Sequence, residues 1–241
     1  MGHKRQPEHA NRMKLILFDC DGTLVDSHHN IAEAMRRAFG ELGVPYPGDD
    51  ATRGIIGLSL HAAMEALAPQ GTPPDTLQAL EEAYKRHFFR LRHEPGFHEP
   101  LFPGAREALE SLAARDDVLL GIATGKSRRG LEVLLEREGL RDFFVTLQTA
   151  DDAPSKPHPG MVLRALEETG AEPHRAVLIG DTRYDMQMAR AAGTLPVGVA
   201  WGYHPPHELR AAGAVDIAEH FGHLPEKLDE LIATVPAEQE T

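Results

Sequence analysis

Apolar residues in this chain come in two textures. From Leu15 to Phe18 they form a short unbroken run, cut off by Asp19-Cys20-Asp21-Gly22-Thr23. A run of that length closed by turn residues predicts a strand buried on both faces, the kind parallel sheets use. Between Ser27 and His98 the spacing changes. Ile31, Ala34, Met35, Ala38, Phe39 and Leu42 recur at helical intervals and stop before Gly43 and Pro45. Residues 58–67 and 77–91 also predict helices, and no strand is predicted in this segment. Glu94-Pro95-Gly96 and Glu99-Pro100 predict a linker at its exit.

After Pro103-Gly104 the two textures alternate. Helices are predicted at 105–114, 131–138, 160–169, 185–192, near Glu208, and at 224–232. Strands are predicted at 118–123, 143–147, 176–179 and 195–200, with an edge strand at 214–217. Such alternation implies parallel strands joined by right-handed crossovers. The expected fold is therefore α/β: a doubly wound, Rossmann-like parallel-sheet core carrying an inserted all-helical domain. The expected boundaries are 13–26 and 99–235 for the core and 27–98 for the insert, with tails at 1–12 and 236–241.

Composition narrows the function classes. Lys plus Arg is 25 and Asp plus Glu is 37, so the formal charge is 25 − 37 = −12. That balance argues against a general nucleic-acid binder, which needs a basic face to displace counterions. It would also repel an anionic substrate unless something local reversed the sign. No stretch is long and apolar enough for a membrane span, and the start lacks the apolar run of a secretory signal. One Cys excludes an internal disulfide and a Cys-rich zinc site. A cytoplasmic protein is the default expectation, monomeric or homodimeric.

Candidate chemistry sits where the strands end. Ligands of open α/β sheets bind at the carboxyl ends of the strands. There the chain offers Asp19 and Asp21 after the first strand, Thr124 after the second, Lys156 in a later loop, and Asp181 and Asp185 after a fourth. Four carboxylates in one pocket destabilise each other unless a cation sits among them. Oxygen ligands without Cys or clustered His favour Mg²⁺ over Zn²⁺. With the positive charge of Lys156 and the hydroxyl of Thr124, the set describes a phosphoryl site. Asp19 and Asp21, two apart, share one side of an extended backbone, with Cys20 turned to the core.

The stretch Phe18-Asp19-Cys20-Asp21-Gly22-Thr23-Leu24-Val25-Asp26-Ser27 resembles the first motif, DxDGT, of the haloacid dehalogenase superfamily of phosphatases. Thr124 resembles its second motif, Lys156 in Ser-Lys-Pro-His-Pro its third, and Gly180-Asp181-Thr182-Arg183-Tyr184-Asp185 its fourth, GDxxxD. A helical cap between the first and second motifs resembles the branch with phosphoglycolate phosphatases and β-phosphoglucomutases. The resemblance implies a Mg²⁺-dependent phosphatase acting on a small phosphorylated metabolite, with 2-phosphoglycolate as the leading candidate. It implies Asp19 as nucleophile forming an aspartyl-phosphate and Asp21 as general acid and base. Asp19, the backbone carbonyl of Asp21, and Asp181 would hold Mg²⁺, with Asp185 in support. Thr124 and Lys156 would bind the transferring phosphoryl group, and amides following Thr124, at Gly125, would complete the cradle. Arg53, in Thr52-Arg53-Gly54, is a candidate substrate contact from the cap.

Rival readings remain at this level. A phosphomutase would return the phosphoryl group to a sugar. A phospho-aspartate receiver also uses Asp, Thr and Lys around Mg²⁺, but places its acidic pair before the phosphorylated Asp and has no helical insert. Gly121-Ile-Ala-Thr-Gly125-Lys126-Ser127 has three residues between its glycines, where a nucleotide P-loop needs four. His204-Pro205-Pro206-His207 reads as a loop, not a helical metal pair.

Overall fold

The computed structural model describes residues 13–234; the predicted tails at 1–12 and 236–241 lie outside them. Six strands form one sheet: β1 (Lys14–Phe18), β2 (Val118–Thr124), β3 (Phe144–Thr149), β4 (Ala176–Gly180), β5 (Leu195–Val199) and β6 (Asp216–Ala218). Their spatial order is β3-β2-β1-β4-β5-β6, with every neighbouring pair parallel. β1 is central, and the order reverses beside it. That is the switch point of a doubly wound sheet, where its crevice opens.

Burial explains the unbroken apolar run of β1. Ile16 and Phe18 pack on one face with Ile122, Val177 and Ile179; Leu15 and Leu17 pack on the other with Leu178 and Met161. Helices cover both faces. α5 (Ala105–Ala113), α6 (Arg128–Glu138) and α10 (Leu224–Thr234) lie on the first, and α7 (Gly160–Thr169) and α8 (Arg183–Ala191) on the second. Within β2, Gly121 is required by close packing: a Cβ there would sit 2.5 Å from Thr146 Cγ2 and 2.7 Å from Leu17 Cδ2.

Between β1 and β2 lie four helices: α1 (His28–Glu41), α2 (Asp49–Arg53), α3 (Leu60–Leu67) and α4 (Pro74–Leu91). They build a core of their own from Met35, Phe39, Met64, Leu80 and Phe88, among others. α1 and α4 follow the predicted periodicity. α2 was not predicted, because one short turn burying only Thr52 leaves no periodic signal; Asp49 and Asp50 favour its N-terminus. The edge strand runs Asp216–Ala218 rather than 214–217, since Val215 is still in the approach, donating from its amide to Pro196 O. Pro205 and Pro206 do not hold residues 204–207 in a plain loop. They start α9 (Pro206–Ala211), because Pro is compatible with a helix's first turn.

Leu80 is fully buried within the cap. Leu80→Ala is expected to lower the unfolding free energy by about 2–5 kcal/mol, measured by urea titration. A cost below about 1 kcal/mol would mean that the cap core is not closely packed.

Candidate active site

The site begins where β1 stops. Asp19 still pairs with β4, its amide donating to Ile179 O at 2.9 Å. The chain then folds tightly back, with the amides of Thr23, Leu24 and Val25 all donating to Cys20 O. Gly22 makes this turn at φ +87, and a Cβ there would lie 2.2 Å from Asp181 Oδ2. The glycine thus permits both the backbone conformation and the approach of β4's aspartate. Cys20 is buried in the core.

Across the crevice, Asp181 follows β4 and Asp185 sits in the first turn of α8. Asp185 belongs to a capping box with Thr182: the Thr182 amide and hydroxyl donate to Asp185 Oδ2 at 3.1 and 2.6 Å. Its other oxygen, Oδ1, accepts from Lys156 Nζ at 2.6 Å. One carboxylate therefore caps its helix and joins the site. Asp181 is held by the Thr23 hydroxyl at 3.0 Å and the Tyr203 amide at 2.9 Å. Gly202 also leaves room for it, since a Cβ there would lie 2.1 Å from Asp181 Cβ.

Asp19, Asp181 and Asp185 are fully buried, and one carboxylate oxygen from each lies within 4.8 Å of the others. Lys156, its side chain fully enclosed, is 2.9 Å from Asp19 Oδ1. Asp19 Oδ2 has no hydrogen-bond donor among the described residues. With all groups ionised, the cluster carries −3 + 1 = −2. Burial pushes the Asp19 carboxyl up to about 7; Lys156 opposes this, and the Asp185 charge adds to it. Asp181 is raised too, by burial and then by its two acidic neighbours. Burial lowers Lys156, but Asp185 and Asp19 outweigh it and hold the ammonium above its usual range. A buried, oxygen-only cluster with this charge and an undonated oxygen fits a hard divalent cation.

Asp21 does not share that cluster. Its carboxylate accepts from Ser27 Oγ at 2.7 Å and from Lys126 Nζ at 2.8 Å. The tight turn at Cys20 replaces the extended geometry that would have put both carboxylates side by side. Thr124 is buried at the end of β2, and Asp21, Thr124, Gly125 and Lys126 line a cavity of about 540 Å³ between core and cap. Arg53 does not line it. This arginine is exposed, its guanidinium 5.6 Å from the centre of the Tyr203 ring.

The cap is docked against the crevice. Gly125 lies so close that a Cβ would meet Gly57 O at 2.4 Å and Leu58 O at 2.5 Å. The Ser59 amide donates to Ser155 Oγ at 2.8 Å. Gly54 O lies 3.2 Å from His204 Nε2 and accepts from the Tyr184 hydroxyl at 3.3 Å. His204 Nδ1 accepts from the Arg183 amide at 3.3 Å, so Nε2 is the protonated, donating nitrogen. Tyr203 ties the first linker down: its hydroxyl accepts from the Ser27 amide at 3.0 Å and donates to Asp26 Oδ1 at 3.2 Å.

A profile described as "Haloacid dehalogenase-like hydrolase" matches residues 16–199. The chain belongs to this family. It is 34% identical to "Probable phosphatase IndB" of Dickeya dadantii (strain 3937), over 87% of this chain and 91% of that protein. It is 33% identical to "Phosphoglycolate phosphatase" of Pseudomonas putida (strain KT2440), over 79% of this chain and 71% of that one. Among solved structures, a hydrolase from Pseudomonas syringae superposes with a TM-score of 0.79 at 29% identity, covering 90% of this chain and 98% of that one. Family membership removes the receiver reading. No helix among the described residues is long and apolar enough to cross a membrane.

Sequence reasoning overlooked Lys126, Tyr203 and Gly202. Lys126 follows Gly125 in the stretch that fails as a P-loop, and only the fold brings its ammonium to Asp21. Gly202 acts by having no side chain, and Tyr203 through both its amide and its hydroxyl on partners distant in sequence, which leaves no motif.

The raised carboxyls fix the sign of a cation effect. Asp19's folded pKa stands above that of an unfolded carboxylate. Without metal, its contribution is therefore most favourable below the unfolded value and is lost as pH rises through about 7. A cation competes with that proton. MgCl₂ at about 100 times its dissociation constant is expected to add about 2.7 kcal/mol of stability. By thermal melts, its effect should be larger at about pH 8 than at about pH 5.5. A melting temperature indifferent to MgCl₂ and to chelator at both pH values would refute the cation site.

Proposed function

We propose that this chain is a Mg²⁺-dependent phosphatase that hydrolyses small phosphomonoesters through an aspartyl-phosphate on Asp19. The observation that carries this reading is the buried cluster of Asp19, Asp181, Asp185 and Lys156, beside a cavity lined by Asp21 and Thr124. Asp19, Asp181 and the backbone carbonyl of Asp21 would hold Mg²⁺, with Asp185 in support. Bound there, the ion supplies charge neutralisation for the phosphoryl oxygens.

Asp19 attacks phosphorus, and the bond to the leaving oxygen breaks as the new P–O bond forms. Asp21 gives its proton to the departing alkoxide. It then takes one from the water that attacks the phospho-enzyme, releasing phosphate and restoring Asp19. Ser27 and Lys126 fix the direction of the Asp21 carboxylate. Lys156 offsets charge on the nucleophile side, and the Thr124 hydroxyl and the amides after it receive phosphoryl oxygens. The docked cap excludes bulk water, and substrate entry requires it to open. 2-Phosphoglycolate is the substrate suggested by the name of the Pseudomonas putida relative.

Phosphate release from p-nitrophenyl phosphate tests the mechanism. Asp19→Asn is expected to abolish it, and Asp21→Asn to slow it by about 10²–10⁴-fold. Turnover surviving both Asp19→Asn and metal chelation would sink this reading.

A further inference from the structure

The cavity under the cap is more than a phosphate cradle. Asp21, Thr124 and Gly125 mark its reacting end. Its cap wall is largely apolar, with Ile31, Met35, Leu60, Tyr84 and Phe88. Arg92, half-buried at the end of α4, and Arg129, exposed in the first turn of α6, line both this cavity and the adjoining outer one, so they stand at the boundary between the two. The two arginines come from opposite sides of the seam between cap and core. Arg92 Nη2 lies 3.5 Å from where a Cβ on Gly130 would stand, so this cap side chain reaches the core helix.

Charge pairing sets these two apart from their neighbours. Arg128 bonds Asp152 at 2.6 Å, Arg137 meets Glu99 at 3.3 Å, Arg86 meets Glu41 at 2.5 Å, and Lys85 meets Glu82 at 2.9 Å. Arg92 and Arg129 have no carboxylate partner among the described residues. Instead their guanidinium groups lie over aromatic rings: Arg92 5.1 Å from the centre of Phe88, Arg129 5.9 Å from that of Phe89. Stacking restrains a guanidinium without neutralising it, and leaves its donors free for an anion. In a chain of net charge −12, two unpaired arginines lining one cavity point to an anionic ligand.

We propose that Arg92 and Arg129 bind a second anionic group of the substrate, a carboxylate or a phosphate. An apolar body lying along Met35, Tyr84 and Phe88 joins this group to the scissile phosphate. The inference rests on the phosphatase reading and narrows its substrate class. Phosphoglycolate, a two-carbon acid, would leave most of the apolar wall uncovered; a cavity of about 540 Å³ is of the size that takes larger ligands. An anion held from both sides of the seam also favours the docked cap, since it gains both arginines only in that state.

Initial rates with phenyl phosphate, 4-carboxyphenyl phosphate, benzene-1,4-bisphosphate and 2-phosphoglycolate test the proposal. The wild-type protein is expected to favour at least one of the charged aryl substrates over phenyl phosphate by about 10-fold or more in kcat/KM, and the better one identifies the anion. Arg92→Ala and Arg129→Ala should each remove most of that preference, chiefly through KM, with Arg92→Lys retaining more of it than Arg92→Ala. Melting curves verify that the variants fold. Equal kcat/KM for charged and neutral aryl substrates in the wild type overturns the subsite. So does an equal loss on both in the variants, or phosphoglycolate surpassing every aryl phosphate. Absence of turnover on all four overturns the phosphatase reading itself, and the subsite with it.

Discussion

The structure depends on a charge imbalance buried at one edge of the sheet. Three carboxylates and one ammonium lie together, buried from the protein surface. Burying charge that is not fully paired is among the most costly things a fold can do. The surroundings are arranged to permit it. Gly22 and Gly202 clear space for Asp181, and Gly180 does so for Asp185, whose Cβ would lie 2.4 Å from an added methyl. Backbone amides of Tyr203 and Thr182 donate to the carboxylates. The sheet places them together because β1 and β4 are parallel neighbours at the switch point.

The same cluster resolves the conflict between an acidic chain and an anionic substrate. Net charge acts at long range and is screened within about 8 Å at physiological salt. The local field is set by Lys156, by any divalent ion the cluster holds, and by unpaired arginines on the cavity wall. Other acidic groups pair with basic side chains away from the site, as Asp152 does with Arg128 and Asp216 with Lys227. The surface pairs Lys14–Asp117 and Arg115–Asp229 join the start of β1 to α10 and the turn before β2.

The cap has its own apolar core but meets the crevice through a short loop, Gly54 to Ser59. Backbone groups of that loop contact His204, Tyr184 and Ser155, while Gly125 approaches it too closely for any side chain. Hydrogen bonds to a few backbone atoms can be exchanged for water at small net cost. On the proposed mechanism this is the surface that separates to admit substrate. The cap's inner wall, with Met35, Tyr84 and Phe88, follows helical packing and carries no fixed motif.

What the sequence determined was what local pattern can encode. An unbroken apolar run closed by turn residues, against period-3.6 spacing, separated β1 from the helices after it, and the polar residues ending each strand marked Asp19, Thr124 and Asp181. It failed where one short turn carried no period, as in α2, and it placed the start of α9 too late, because Pro206 reads as loop but opens the helix predicted near Glu208. Only the tertiary structure decided which way side chains face. The turn at Cys20 sends Asp21 to Lys126 and Ser27, and Arg53 lies over Tyr203 outside the cavity. Arg92 and Arg129, 37 positions apart, line one cavity. Side-chain direction after a turn, and proximity across a seam, are set by packing between distant segments, and no local spacing records them.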